Sequence, residues 1–285
     1  MFDREAQLRD IHRFIEKMPS LTTTVGKVME ICSRQDSSPN ELNRVISLDP
    51  VLTGQVLKLT NSAYYSLMNK VTSLTRAIIM LGINTVKNLA LSTVIIQCVG
   101  QSEKSKVLPI RDFWAHSIGV GVVAKLLAAD RGVPISQREE YFVAGLLHDL
   151  GKIPYGDDYI NVVRRAKNGR LELIGVEKLL LGVDHQEIGG FIAEKWKLNP
   201  AVTSAIVHHH DPAEAEEEHR DFSALIGLAD CYVNLFDIGS AGNPFPDEER
   251  FVQALSMSGL RWEEVAGLSD SVSEEIKKAE VFLQV

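Results

Sequence analysis

The sequence predicts an all-α protein, on three observations. Apolar residues recur at helical spacing along almost the whole chain. Helix start signals stand immediately before many of those stripes. Alternation of apolar and polar residues, the mark of a half-buried strand, is confined to 170–173.

Leu8, Ile11, Phe14 and Ile15 form the i, i+3, i+4 stripe of an opening helix, and Val25, Val28, Met29 and Cys32 form a second. Ser38, Pro39 and Glu41 combine a capping hydroxyl, a proline in the first turn and a glutamate three residues on. They open a third helix, with Leu42, Val45 and Ile46 on its apolar face. Asp49 and Pro50 open a fourth ahead of Leu52, Val56, Leu57 and Leu59. Helices at 73–80 and 84–99 complete a front set of about six, with Gly82 as the stop between them.

Polar residues beyond Gly100, and then Pro109, mark a joint. Helices resume at 112–129 and 137–150, and Gly151 and Pro154 end the second. A shorter helix at 160–166 follows. Asp184 and Glu187 form a capping box that opens 186–196, Asn199-Pro200 opens 201–209, and 223–235, 247–257 and 271–282 close the chain. The acidic run DPAEAEEEHRD, 211–221, reads as a solvated loop.

Composition narrows the function classes. The chain has 285 residues, 45% hydrophobic and 24% charged, which suits a globular core and excludes disorder. No run approaches the ~20 apolar residues of a membrane span, so no membrane association is expected. The start, MFDREAQLRD, has no apolar signal core. Cys32, Cys98 and Cys231 are an odd set without CxxC spacing, which argues against a disulfide framework or a zinc ribbon. A cytoplasmic location is the expectation. Net charge is −8, split as +3 over 1–105 and −11 over 106–285, a poor balance for a nucleic-acid binder.

Eight histidines occur, and His116, His148, His185, His208, His209 and His210 all lie in the acidic part. Taken alone, each is most simply a core or surface histidine. His148-Asp149, however, ends the apolar helix stretch YFVAGLL. A carboxylate buried there costs several kcal/mol unless a cation or strong donor compensates it. A metal ion is the simplest compensator, taking oxygen and imidazole from one turn. Asp230 is a second carboxylate in an apolar helix. His116 sits among Ile118, Val120, Val122 and Val123, with Asp112 four residues upstream as a solvated cap or a further ligand. His185 stands at a helix start and His208-His209 at a helix end, with His210 expected outside the shell. Such a His/Asp set without Cys suits iron, manganese, zinc, cobalt or nickel.

The segment FVAGLLHDLGK, 142–152, resembles the core of the HD superfamily of metal-dependent phosphohydrolases. The order His116, His148-Asp149, Asp230 matches that superfamily's pattern. His185 and His208-His209 are similar to the additional ligands of its HD-GYP branch. The segments MPSLTTTVGKVMEI, LNRVISLDPVLTGQVLKLTNSAYYS and VTSLTRAIIMLGINTVKNLAL resemble the front part of HDOD proteins. The likeness covers roughly 15–235. It implies an HDOD/HD-domain-like multi-helix bundle: an N-terminal helical part over 1–105, an HD-like metal core over 106–240 and a C-terminal helical extension over 241–285. The chain departs from HD-GYP after His209, where His210-Asp211-Pro212 leads into no Tyr-Pro loop. That departure speaks against cyclic-di-GMP hydrolysis and leaves metal binding untouched.

The resemblance implies one or two divalent transition-metal ions, iron or manganese first. One ion would take His116, His148, Asp149 and Asp230; the other would share Asp149 and add His185, His208 and His209. A metal pair activates water and clamps phosphoryl oxygens, with Asp149 and Lys152 as the catalytic residues. HDOD proteins are mostly known as regulatory modules of bacterial signalling. The expected role is therefore a signalling module that meets protein partners in trans. The alternative is a phosphohydrolase acting on a nucleotide, cyclic dinucleotide or other phosphoester.

Overall fold

A computed structural model describes residues 4–18, 23–33, 38–100, 108–243, 245 and 248–284. Among the described residues there are α-helices and short 3-10 turns and no strand. The front part comprises α1 (Arg4–Lys17), α2 (Thr23–Ser33), α3 (Pro39–Ile46), α4 (Pro50–Thr60), α5 (Leu74–Leu81) and α6 (Ile83–Gly100). The expected capping box is present: Ser38 Oγ accepts from the Glu41 N–H, and Glu41 Oε2 accepts from the Ser38 N–H. Asp49 and Ser73 cap α4 and α5, and Gly82 ends α5 at φ 87°. The joint expected beyond Gly100 falls on 101–107, outside the described residues, as do 19–22 of the first front segment.

The core is built on α7 (Ile110–Asp130), α8 (Ile135–Leu147), α9 (Tyr159–Gly169), α10 (Leu173–Leu181), α11 (His185–Trp196), α12 (Pro200–His208) and α13 (Glu217–Leu235). The C-terminal helices α14 (Glu248–Ser258), α15 (Trp262–Ala266) and α16 (Ser269–Ala279) close over it. Helix α7 is central and packs on α8, α13 and α16. It is long and apolar enough to cross a membrane by length and composition, but 72% of its most apolar window is buried inside the protein. It is the core helix that its sequence predicts.

Three expectations are corrected. The helix expected over 137–150 ends at Leu147, and 3-10 turns over Leu150–Asp158 follow. Gly151 and Pro154 do not sustain an α-helix there. The strand expected at 170–173 is absent, because Leu173, Ile174, Val176 and Leu181 are buried from one helix, α10. Arg170 makes the turn into it at φ 49°. The acidic run is loop only in part: Pro212–Glu214 is a 3-10 turn and α13 already begins at Glu217. Glu217 and Glu218 there lie at the positive end of the helix dipole.

Front part and core meet through specific contacts. Lys125 Nζ on α7 donates to Tyr64 OH at 3.0 Å, pairs with Glu139 on α8 and lies 4.4 Å from the Tyr64 ring centre. Tyr64 packs at 5.5 Å from Phe142, which in turn lies 4.9 Å from Phe282. Lys195 on α11 donates to the carbonyls of Ile15, Glu16 and Met18, holding the end of α1. Tyr64 is thus a packing residue, set against Phe142, Phe282 and Lys125. Phe142→Ala should lower the unfolding free energy by about 3–5 kcal/mol in urea titrations, since the cavity would open between all three parts.

Candidate metal centre

The site begins where α8 ends. The apolar stripe of α8 buries Phe142, Val143, Leu146 and Leu147, and the next two residues, His148 and Asp149, are carried inward with it. Asp149 is 1% exposed. Two sets of donors close around its carboxylate. On the Oδ2 side are His148 Nε2 at 3.3 Å, His116 Nε2 at 3.7 Å and Lys152 Nζ at 2.7 Å. Asp230 joins that side, its Oδ1 being 3.1 Å from His116 Nε2 and 3.5 Å from His148 Nε2. On the Oδ1 side are His185 Nε2 at 3.4 Å and His209 Nε2 at 3.8 Å. His210 completes that set, with its Nε2 3.2 Å from His185 Nε2.

Hydrogen bonds behind the rings decide which nitrogen faces inward. A carbonyl oxygen only accepts, so a ring nitrogen against one must carry the proton. His148 Nδ1 lies 2.7 Å from the Gly145 carbonyl, and His209 Nδ1 lies 3.1 Å from those of Ala205 and Ile206. His185 Nδ1 lies 2.6 Å from Glu177 Oε2. Each of the three is thereby an Nδ1–H donor, and its Nε2 points into the centre. His185 and His209 bring their Nε2 atoms to 3.3 Å of each other. Two facing lone pairs at that distance repel unless a proton or a cation lies between them. His116 Nε2, His148 Nε2 and Asp149 Oδ1 are buried and make no hydrogen bond. Buried orphans of this kind need an explanation. Two triads, His116/His148/Asp230 and His185/His209/His210, each have donor atoms within 4.8 Å of one another. The donor set therefore fits divalent metal ions, with Asp149 between the triads.

The electrostatics agree. Burial pulls His148 down, but the Asp149 and Asp230 carboxylates outweigh it and push the imidazolium up to about 10. Burial pushes Asp149 up, yet His148 and Lys152 hold it well below the usual carboxylate range. Burial pushes Asp230 up as well, yet it is likewise held well below the usual carboxylate range, by the His116 and His148 imidazoles beside it. His209 and His210 are driven well below the usual imidazole range, by burial first and then by the imidazoles packed beside them. Neutral imidazoles are the form that ligates.

Of the residues predicted from sequence, His116, His148, Asp149, His185, His209 and Asp230 come together. His208 does not, and His210 takes the place expected for it. The buried stripe of α12 is Val202, Ala205 and Ile206, and one further step of that period reaches 209. His208 falls between stripes and stays part-exposed. His210 then turns inward because the helix has ended; Arg250 donates to its carbonyl and to Glu172 and Asp211. The period alone signals 209 over 208. Nothing in the sequence signals 210. Asp112 remains exposed, and it lies in neither triad. Lys152, expected to face developing charge, is buried and bound to Asp149. Sequence reasoning missed Glu177, a fully buried carboxylate in the apolar helix LIGVEKLLL; its isolation there is the available signal.

Glycines let the backbones carrying these donors touch. A Cβ on Gly151 would lie 1.8 Å from the His185 carbonyl oxygen, and one on Gly227 would lie 2.1 Å from that of His209.

The HDOD domain model matches residues 18–212. The chain belongs to the HDOD family. An HDOD domain protein of unknown function from Geobacter sulfurreducens superimposes with TM-score 0.78 at 26% identity, covering 98% of this chain and 99% of that one. A candidate phosphohydrolase from Shewanella amazonensis shares the fold at TM-score 0.69 and 24% identity, over 95% and 98% of the two chains. Among curated proteins, an uncharacterised protein of Treponema pallidum is 22% identical over 227 residues, 78% of this chain and 43% of that protein. Ribonuclease Y of Mycoplasma mycoides is 27% identical over 151 residues, 52% of this HDOD chain and 29% of the enzyme. The chain spans less than half the length of these curated relatives.

Two outcomes are expected. Metal uptake by the metal-free chain at pH 7 should expel the His148 proton, so affinity should strengthen as pH rises from about 6 to 9. Calorimetry in buffers of different ionisation enthalpy reads that proton directly. Gly227→Ala should destabilise the fold by roughly 1–3 kcal/mol or more and weaken metal uptake, because α13 and the His209 backbone cannot both stay in place. Thermal melting with and without added Mn²⁺ checks both effects.

Proposed function

We propose that this HDOD chain is a regulatory module of bacterial signalling built on a two-metal centre, and that it meets protein partners in trans. The observation that carries the reading is Asp149, whose two carboxylate oxygens each face a separate set of imidazoles. His116, His148 and Asp230 would hold one ion with Asp149 Oδ2, and His185, His209 and His210 the other with Asp149 Oδ1. Of the three additional histidines that resemble those of the HD-GYP branch in sequence, His185 and His209 belong to this set and His208 does not. Divalent ions there would supply Lewis acidity toward an anionic, phosphoryl-type ligand. The chain's own residues supply the rest. Lys152 keeps Asp149 ionised and fixed. The Gly145, Ala205 and Ile206 carbonyls aim His148 and His209.

A second reading, a metal-dependent phosphohydrolase, is favoured by the completeness of this donor set, with seven buried donors drawn from three helices and from the turns that end two others. The name of Ribonuclease Y adds RNA to the nucleotides, cyclic dinucleotides and other phosphoesters to try.

Metal analysis by plasma mass spectrometry tests the first reading. Protein purified anaerobically, without chelator or affinity histidines, should hold about two equivalents of iron or manganese. The His148→Ala/Asp149→Ala double variant should hold none. About one equivalent in the wild type points to a single-ion centre, and none after reconstitution sinks both readings. Hydrolysis of a phosphodiester by the loaded wild type, lost in Asp149→Ala, selects the enzyme; loaded protein inert toward all of them selects the regulatory module.

A further inference from the structure

Behind His185 lies a buried chain of hydrogen bonds that no metal ligand requires for its own burial. Glu177 is fully buried on α10. Its Oε2 accepts from the His185 backbone N–H at 2.9 Å and from His185 Nδ1–H at 2.6 Å. Its Oε1 accepts from Tyr159 OH, at the start of α9. Tyr159 stacks on Tyr155 with ring centres 4.7 Å apart and planes 11° from parallel, and Tyr155 OH donates to the Val183 carbonyl. Two of the three hydrogen bonds that Glu177 accepts thus come from one residue, His185, and the third comes from Tyr159.

The two halves of the centre differ in this support. His148 rests on a neutral carbonyl, and neither ring nitrogen of His116 makes a hydrogen bond. Among the histidines brought together here, His185 is the one whose Nδ1 lies within hydrogen-bond distance of a carboxylate, at 2.6 Å from Glu177, whereas His210 Nδ1 lies 3.9 Å from Glu172 Oε1 and His209 Nδ1 rests on backbone carbonyls. A carboxylate behind an imidazole fixes its tautomer and ring angle and raises its basicity, and loss of such a partner typically weakens metal affinity 10–100-fold. A buried polar group with one partner removed also leaves the other unsatisfied.

We propose that Glu177 is the positioning residue that holds His185 in its ligating form, and that it thereby decides whether the second metal position fills. The proposal rests on the two-metal reading above and adds to it that the two positions are separately addressable. Tyr159 is the strut that holds Glu177, and it places that control at the junction of α9 with the 3-10 turns carrying Lys152. Sequence spacing alone does not connect Tyr159, Glu177 and His185; burial of all three on one hydrogen-bonded path does.

The test uses the full chain and Mn²⁺ alone, followed by equilibrium dialysis and electron paramagnetic resonance. The wild type should take up two ions with a spin-coupled spectrum. Glu177→Ala should lose one of them through a 10–100-fold weaker site and show the six-line spectrum of an isolated ion, with the other site unchanged. Glu177→Gln, whose amide oxygen still accepts from Nδ1–H, should recover part of the second site. Tyr159→Phe should weaken the same site less. A merely structural role would weaken both sites together, and that outcome in folded Glu177→Ala or Glu177→Gln overturns the proposal. Two undiminished sites in Glu177→Ala also overturn it, while leaving the two-metal reading intact. A wild type that binds fewer than two ions overturns the two-metal reading and this inference with it.

Discussion

Burial of the Asp149 carboxylate is the constraint on which the rest of the structure depends. A lone carboxylate in an apolar interior is too costly to persist. Here it persists because Lys152 binds it directly and imidazoles face both of its oxygens. The neighbouring elements are placed accordingly. Helix α7 brings His116, α13 brings Asp230, the start of α11 brings His185 and the end of α12 brings His209 and His210. Five of the seven core helices, or the turns that end them, bring one or two polar side chains to this point and apolar side chains to what surrounds it.

Close approach of backbones makes that convergence geometrically feasible. The turn after Asp149 runs against the start of α11, and α13 runs against the end of α12, each contact made at a glycine. Side-chain reach from His or Asp is short, so the elements must nearly touch for seven residues from five segments to meet. The front helices take no part in the donor set. They are bound to the core through Tyr64, Lys125 and Glu139, and through Phe142 and Phe282. The centre and the front part thus share α7 and α8 as a common support.

Much of the fold was legible because its signals are local. Ser38, Asp49, Ser73, Asp184 and Asn199 cap helices where their side chains predict, since an N-cap involves only the next three residues. The reading failed where tertiary burial overrode local pattern. The brief alternation at 170–173 yielded to the buried face of α10, and the acidic run gave way to a helix start. At the site, the exchange of His208 for His210 has the same origin. The period of α12 selects 209 within the helix, but the direction of the residue after it is set by where the chain turns, which Arg250 and Glu172 hold in place.

The sequence by itself determined the helical class, most helix boundaries and the His/Asp make-up of the candidate centre, because periodicity, caps and a His-Asp pair in an apolar helix are properties of short segments. It also carried the family likeness that the HDOD match bears out. Only the tertiary structure decided that Asp149 stands between two triads, that His210 belongs to the second, that Lys152 is spent on Asp149, and that Glu177 stands behind His185. Those are relations between residues distant along the chain. They depend on helix crossing and on which nitrogen of each ring is hydrogen-bonded, and neither is encoded in local spacing.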